Sequence, residues 1–309
     1  MLKILVTGVN GFVGKHVVRE LKQRGYKVVG LGNSGPAHPE IKDSLEAYHL
    51  CDLGDADQVA ALPLQDINAV INLAGLANVG ASFDAAETYK RINVAVLENL
   101  GNCLRNMNSK ARMIAVSTGA VYASNQPLPL TERSRTVTDG SPYAQSKLLM
   151  EDAAKALRKK GLEVAIVRPF NHIGPGQGEG FLVPDLYKKL LAFKVAGEPV
   201  RVGNLHTKRD YTDVRDIAKA YADLAVSQSL DFDTYNICSG ASHSGQEILN
   251  TFLKEMGLEE KVKIEQDPQL VRPNDPPELV GSHHRLTEET GWEPTIPLKE
   301  TIHDFVASK

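Results

Sequence analysis

The chain has 309 residues, with 35 Lys+Arg against 38 Asp+Glu for a net charge of -3, and 42% hydrophobic and 24% charged residues. That balance belongs to a globular chain rather than a disordered one, and the missing basic excess argues against a nucleic-acid partner. No uninterrupted apolar run approaches the ~20 residues that span a bilayer, and Cys51, Cys103 and Cys238 lie far apart without metal or C-x-x-C spacing, so the expectation is a soluble, cytoplasmic protein with no membrane partner and no metal.

In chain order, Leu2–Thr7 predicts strand one. Val13, Val17 and Leu21, four residues apart, predict one apolar helical face that stops at Gly25. Tyr26–Leu31 reads as strand two, Ala69–Leu73 as strand four and Arg112–Ser117 as strand five. Between the last two, Tyr89–Asn106 is helical, with Ile92, Val96, Leu97, Leu100 and Leu104 on one side. Tyr143–Lys160 is a second long helix. Its closing basic run, Arg158, Lys159 and Lys160, complements the C-terminal dipole. Val164–Arg168 reads as the next strand. Alternating strands and helices predict an α/β, Rossmann-like doubly wound parallel sheet. After Arg168 the texture changes to a cluster of prolines and glycines, among them Pro169, Gly174, Pro175, Gly176, Gly178, Gly180 and Pro184, without repeat or flexible linker.

Gly8, Asn10, Gly11, Phe12, Val13 and Gly14 fill the turn between strand one and the first helix. Glycine lets a backbone turn tightly against a pyrophosphate, and the helix behind offers unpaired N–H groups to the anion. This predicts a dinucleotide-binding domain over residues 1–168. Residues 169–309 then form a smaller, mainly substrate-binding lobe, with some segments returning to the first core.

Tyr143 and Lys147 stand one helical turn apart, on one face. A phenol of ordinary pKa near 10 exchanges protons poorly at neutral pH, and an ammonium beside it would lower that value. The pair therefore reads as a proton donor and its tuner. A hydroxyl is expected at the end of strand five, where Ser117 and Thr118 stand, to hydrogen-bond a substrate oxygen as charge develops.

The Gly8–Gly14 spacing, the Tyr143–Lys147 pair and the Ser117–Tyr122 segment together resemble the extended short-chain dehydrogenase/reductases, the NAD-dependent epimerase/dehydratase superfamily. The resemblance implies an oxidoreductase using NADP(H) or NAD(H). Thr118, Tyr143 and Lys147 would be its catalytic residues, with Lys147 also on the nicotinamide ribose. The same resemblance assigns Asp52 and Leu53 to the adenine, Leu73, Ala74 and Gly75 to a loop beneath the cofactor, and Asn93 to water near the lysine. At the end of strand two, Gly32 and Asn33 stand where relatives often carry a ribose-binding acid. No 2′-phosphate is repelled there, and no arginine adjoins to clamp one.

Arg168–Gln177, Phe181–Pro184, Lys208–Asp216, Arg272–Pro273 and Thr290–Pro294 are similar to segments shared by GDP-mannose 4,6-dehydratases and the reductases of GDP-4-dehydro-6-deoxy-mannose. The dehydratases carry an acid just after the catalytic hydroxyl; this chain has Gly119 and Ala120. The resemblance therefore implies reduction of a GDP-4-dehydro-6-deoxyhexose to a GDP-6-deoxyhexose such as GDP-D-rhamnose, with Thr118, Asn171, Val183, Arg209 and Arg272 on the GDP-sugar. A nucleotide-sugar 4-epimerase with tightly held NAD and a non-catalytic dinucleotide sensor are the rivals. Relatives pair helices like 89–106 and 143–160 into a four-helix bundle, which implies a homodimer. His172 reads as a wall residue and His283–His284 as a surface pair.

Overall fold

Apolar side chains on both faces of successive strands dictate a sheet covered on both sides. The computed structural model, which describes residues 1–271 and 276–309, places that sheet in the middle of the larger lobe. Strands β1 (Lys3–Thr7), β2 (Lys27–Gly32), β3 (Ala47–Leu50), β4 (Ala69–Asn72), β5 (Arg112–Val116) and β6 (Val164–Pro169) alternate with helices α1 (Phe12–Gln23), α2 (Ala56–Ala60), α3 (Ala86–Asn106) and α4 (Pro142–Lys159). Beyond β6 the chain adds β7 (Asn171–Ile173), α5 (Leu182–Ala196), β8 (Val200–Val202), β9 (Lys208–Asp213), α6 (Val214–Val226), β10 (Thr234–Ile237), β11 (Ser242–Ser244), α7 (Gly245–Glu255), β12 (Ile264–Gln266), β13 (Glu278–Leu279), α8 (His284–Thr290) and α9 (Leu298–Ala307).

The central sheet runs β10-β6-β5-β4-β1-β2-β3, with every neighbouring pair parallel. Side-chain alternation assigns each strand residue to one of two cores. Leu5, Val70, Met113 and Ile166 pack with α3 and α4, whereas Ile4, Val6, Ile71, Ile114 and Val167 pack with α1 and α6. After β6 the chain leaves the sheet and returns through α6, which lies on α1, and β10, which pairs with β6. A third core built on Val183, Leu186, Leu190, Phe252 and Phe305 joins α5, α7 and α9.

The strand order reverses between β1 and β4, which opens a crevice at the C-terminal ends of the strands. The sheet is one residue shorter than expected at both places that matter: β4 ends at Asn72 and β5 at Val116. Leu73 and Ser117 are thereby the first residues of the loops that enter that crevice. Among the described residues, no helix is long and apolar enough to cross a membrane, and no group of three His, Cys, Asp or Glu could hold a metal.

Candidate active site

The crevice is a cleft of about 560 Å³ whose lining includes Phe12, Val13, Leu73, Gly75, Thr118, Tyr143 and Lys147 from the chain before β6 and Asn171, His172, Val183 and Arg209 from beyond β6. A larger hollow of about 760 Å³ lies beside α7 and the 294–299 segment, and none of these catalytic candidates lines it.

Backbone geometry explains the glycine turn. Gly8 has φ of +65°, and the Gly11 N–H closes the turn by donating to the Gly8 carbonyl at 3.0 Å. A Cβ at Gly14 would overlap the Gly8 carbonyl oxygen and come within 2.7 Å of Val9 Cα. Only glycine lets α1 start this close to the turn, where its first N–H groups would be available to a pyrophosphate. The cradle fits a dinucleotide.

Several residues predicted for the cofactor also hold the surrounding loops together. The Asn10 amide donates to the Pro36 carbonyl at 3.0 Å and its oxygen accepts from the His38 N–H at 2.9 Å, so Asn10 pins the segment after β2. Asn33 is exposed at the end of that strand. Gly32 has the Tyr48 hydroxyl packed where a Cβ would stand, which leaves no room for an acid. Asp52 is exposed and accepts from the Gly54 N–H, but the Leu53 side chain is buried in the core, so only its backbone can face a ligand. Ala74 donates its N–H to the Thr7 hydroxyl at 2.9 Å. Asn93 bonds both backbone groups of Leu76 and donates to the Ser146 hydroxyl at 2.9 Å; it ties α3 to the loop after β4 and to α4.

Helix α4 begins just before Tyr143 and carries it and Lys147 to the cleft. Ser141 caps it, accepting from the Ala144 N–H, and Pro142 presets its first turn. Tyr143 and Lys147 then point inward and are buried. The Lys147 ammonium donates to the Val116 carbonyl at 2.8 Å. Burial pulls Lys147 down to about 8 from its ordinary 10.5, partly offset by Glu151. Burial also pushes the Tyr143 phenol up to about 12, with Thr118 in hydrogen-bonding reach acting against that. This differs from the expectation that the ammonium lowers the phenol: desolvation dominates, and Tyr143 stands protonated, as a donor. Thr118 accepts from the Ala120 N–H at 3.2 Å, which leaves its own proton free to point into the cleft.

The two positions after Thr118 hold no acid. A Cβ at Gly119 would meet the Phe170 ring at 2.9–3.1 Å, so the wall leaves no space for a longer side chain there. Arg209 also lines the cleft and donates to the Pro276 carbonyl at 2.9 Å. Arg272 lies outside the described residues. His172 stacks on Phe12, consistent with a wall. The His283–His284 expectation needs correction: His284 is exposed, but the His283 ring bonds Thr287 at 2.9 Å and packs edge-on against Trp292. Sequence reasoning also missed Gln177, which lines the cleft and whose buried Oε1 has no hydrogen-bond partner among the described residues. A single glutamine among glycines gives no signal of this.

The family described as GDP-mannose 4,6 dehydratase matches residues 5–305. A GDP-6-deoxy-D-mannose reductase of Pseudomonas aeruginosa is 31% identical over 99% of this chain and 96% of its own length. A GDP-6-deoxy-D-talose 4-dehydrogenase of Aggregatibacter actinomycetemcomitans is 28% identical over 94% of this chain and 92% of its own. Among solved structures, RMD from Pseudomonas aeruginosa complexed with NADPH superposes with a TM-score of 0.84 at 29% identity, covering 100% of this chain and 98% of that one. The glycine cradle, the Thr118–Tyr143–Lys147 cluster and a match along nearly the whole chain agree, and this protein belongs to the GDP-mannose 4,6 dehydratase family of NAD(P)-dependent, nucleotide-sugar-modifying short-chain dehydrogenase/reductases.

Proposed function

We propose that this protein reduces the 4-keto group of a GDP-4-dehydro-6-deoxyhexose, giving a GDP-6-deoxyhexose such as GDP-D-rhamnose, with NADPH or NADH as donor. One observation carries the reading: Tyr143 is a protonated donor beside Thr118, while Gly119 and Ala120 supply no acid for elimination of water. When bound, the nicotinamide cofactor supplies a hydride to C4. Tyr143 gives its hydroxyl proton to the carbonyl oxygen, so that C=O becomes CH–OH. Thr118 donates a hydrogen bond to that oxygen while negative charge builds on it. The Lys147 ammonium, held by the Val116 carbonyl, stabilises the phenolate left on Tyr143. By the resemblance Arg209 and Arg272 would neutralise the diphosphate, Asn171 and Val183 would contact the nucleotide-sugar, and Gly8–Gly14, Asn33, Asp52, Leu53, Leu73–Gly75 and Asn93 would frame the cofactor.

Buried, unpaired Cys51, Cys103 and Cys238 support a reducing compartment, the cytoplasm. By analogy with relatives, two copies pair through α3 and α4, where Leu149 is exposed on α4. The experiment is a spectrophotometric assay of purified protein with GDP-4-dehydro-6-deoxy-mannose. Oxidation of NADPH or NADH with formation of the alcohol is the expected result; no oxidation of either overturns the substrate assignment. NAD copurifying at near stoichiometry, with exchange of a C4 epimer, would instead identify an epimerase.

A further inference from the structure

Beneath the catalytic pair, α4 carries a third buried residue on the same stripe. Glu151 stands one turn beyond Lys147 and is fully buried. Three consecutive strand-end residues meet these three helical positions. Thr118 reaches Tyr143, the Val116 carbonyl accepts from Lys147 at 2.8 Å, and the Ser117 hydroxyl donates to Glu151 Oε1 at 2.6 Å. The end of β5 is thus fastened to α4 at every residue that approaches the reacting atoms.

The other acceptor positions on Glu151 are filled by Arg168 on β6, whose Nε and Nη2 donate to the two carboxylate oxygens at 2.9 and 2.7 Å. Arg168 in turn donates to the Tyr122 hydroxyl at 3.0 Å, and that hydroxyl donates to Asn236 at 2.6 Å. A buried ion pair is a poor device for stability alone, since apolar residues of like volume often serve as well or better. What an apolar pair could not do is hold Ser117 and face Lys147 with a negative charge.

We propose that Glu151 is a positioning residue for the reaction: it holds the 116–118 strand end in register with α4 through Ser117, and it supplies the anion that keeps Lys147 an ammonium. The inference rests on the reading of Tyr143 and Lys147 as the proton-donating pair. The groups around that pair are Tyr143 and Glu151 on α4, Arg168 on β6, Tyr89 on α3 and Tyr221 on α6. Glu151 is the charge acting on Lys147, in the direction that favours its proton.

The test uses the full chain and two variants. Glu151→Gln keeps shape but removes the charge, and Glu151→Met with Arg168→Met removes both charges, so that no lone cation is buried should the first fail to fold. Two readouts follow each: the alkaline limb of kcat/KM, and the titration of the isotope-labelled Lys147 side chain by NMR in protein free of nucleotide, assigned by its loss in Lys147→Arg. The expected result is that both midpoints move together to lower pH by about half a unit or more. In addition, kcat falls about tenfold and KM for the cofactor stays within about twofold. In the double variant the direction is the same. A folded variant of either kind whose limb and Lys147 titration both match the unsubstituted protein would overturn the inference. Failure of the functional reading looks different: the unsubstituted protein would turn over nothing, while the NMR titration would still report on Glu151 and Lys147.

Discussion

Gly14→Ala isolates the claim that the opening turn is shaped for close approach. The added methyl would overlap the Gly8 carbonyl and sit 2.7 and 2.8 Å from Val9 Cα and O. All three are backbone atoms, so no rotamer relieves the clash and the start of α1 must retreat. Val17, Val18 and Leu21 fix that helix against the sheet with no exposure, which opposes the retreat. Overpacking of this kind costs ~1–3 kcal/mol. Alanine returns about 1 kcal/mol through its better helix propensity. The rigid neighbours place the net at a loss of about 1–2 kcal/mol, and at this chain length the melting temperature falls by about 1.5–3 °C. The retreat also draws the helix N–H groups from the pyrophosphate, weakening NADPH by about tenfold. Thermal melts with and without titrated NADPH measure both, with Gly178→Ala, whose Cβ would meet nothing within 4 Å, as the control. If Gly14→Ala melts and binds NADPH as the control does, the close-approach argument is refuted.

Removing the phenol proton in Tyr143→Phe should lower kcat by about 10²–10⁴-fold with little change in substrate KM, checked by steady-state kinetics. Thr118→Ala should lower kcat about a hundredfold, whereas Thr118→Ser, which keeps the hydroxyl, recovers most of it. Reduction should hold steady up to neutral pH and decline as pH rises through about 8, where Lys147 loses its proton, while Tyr143, at about 12, stays protonated across that range. A kcat/KM profile flat to pH 10 would remove Lys147 from that role.

How much of this a reader of the sequence could see follows from how local each signal is. The strand–glycine–helix opening and the Tyr143–Lys147 spacing are set within a few residues, and the structure has them as expected, with boundaries moved by one to three positions. Strand β3 gives little signal in the sequence, because Ala47–Leu50 is a short edge strand with little apolar pattern. The return of α6 and β10 to the central sheet rests on pairing across some 70 residues, which no local periodicity encodes. The site shows the same division. Asn10 stands in the phosphate turn, and its bonds to the loop 36–38, distant in sequence, have no local signal. Glu151, Ser117 and Arg168 read as an unremarked helical acid, a strand end and a strand residue until folding brings them together. The phenol's high pKa, too, depends on burial and not on the neighbouring lysine that the spacing brings to mind.

The most direct test of hydride delivery to a sugar ketone is isotopic. The protein is given GDP-4-dehydro-6-deoxy-mannose and NADPH carrying deuterium at the transferred position of the nicotinamide, and the sugar product is analysed by mass spectrometry and NMR. The account predicts deuterium at C4 of a GDP-6-deoxyhexose, in stoichiometric step with NADP⁺ formed, and almost none with Tyr143→Phe. Product lacking the label at C4, or label remaining in the nucleotide while the sugar is only epimerised, would contradict it.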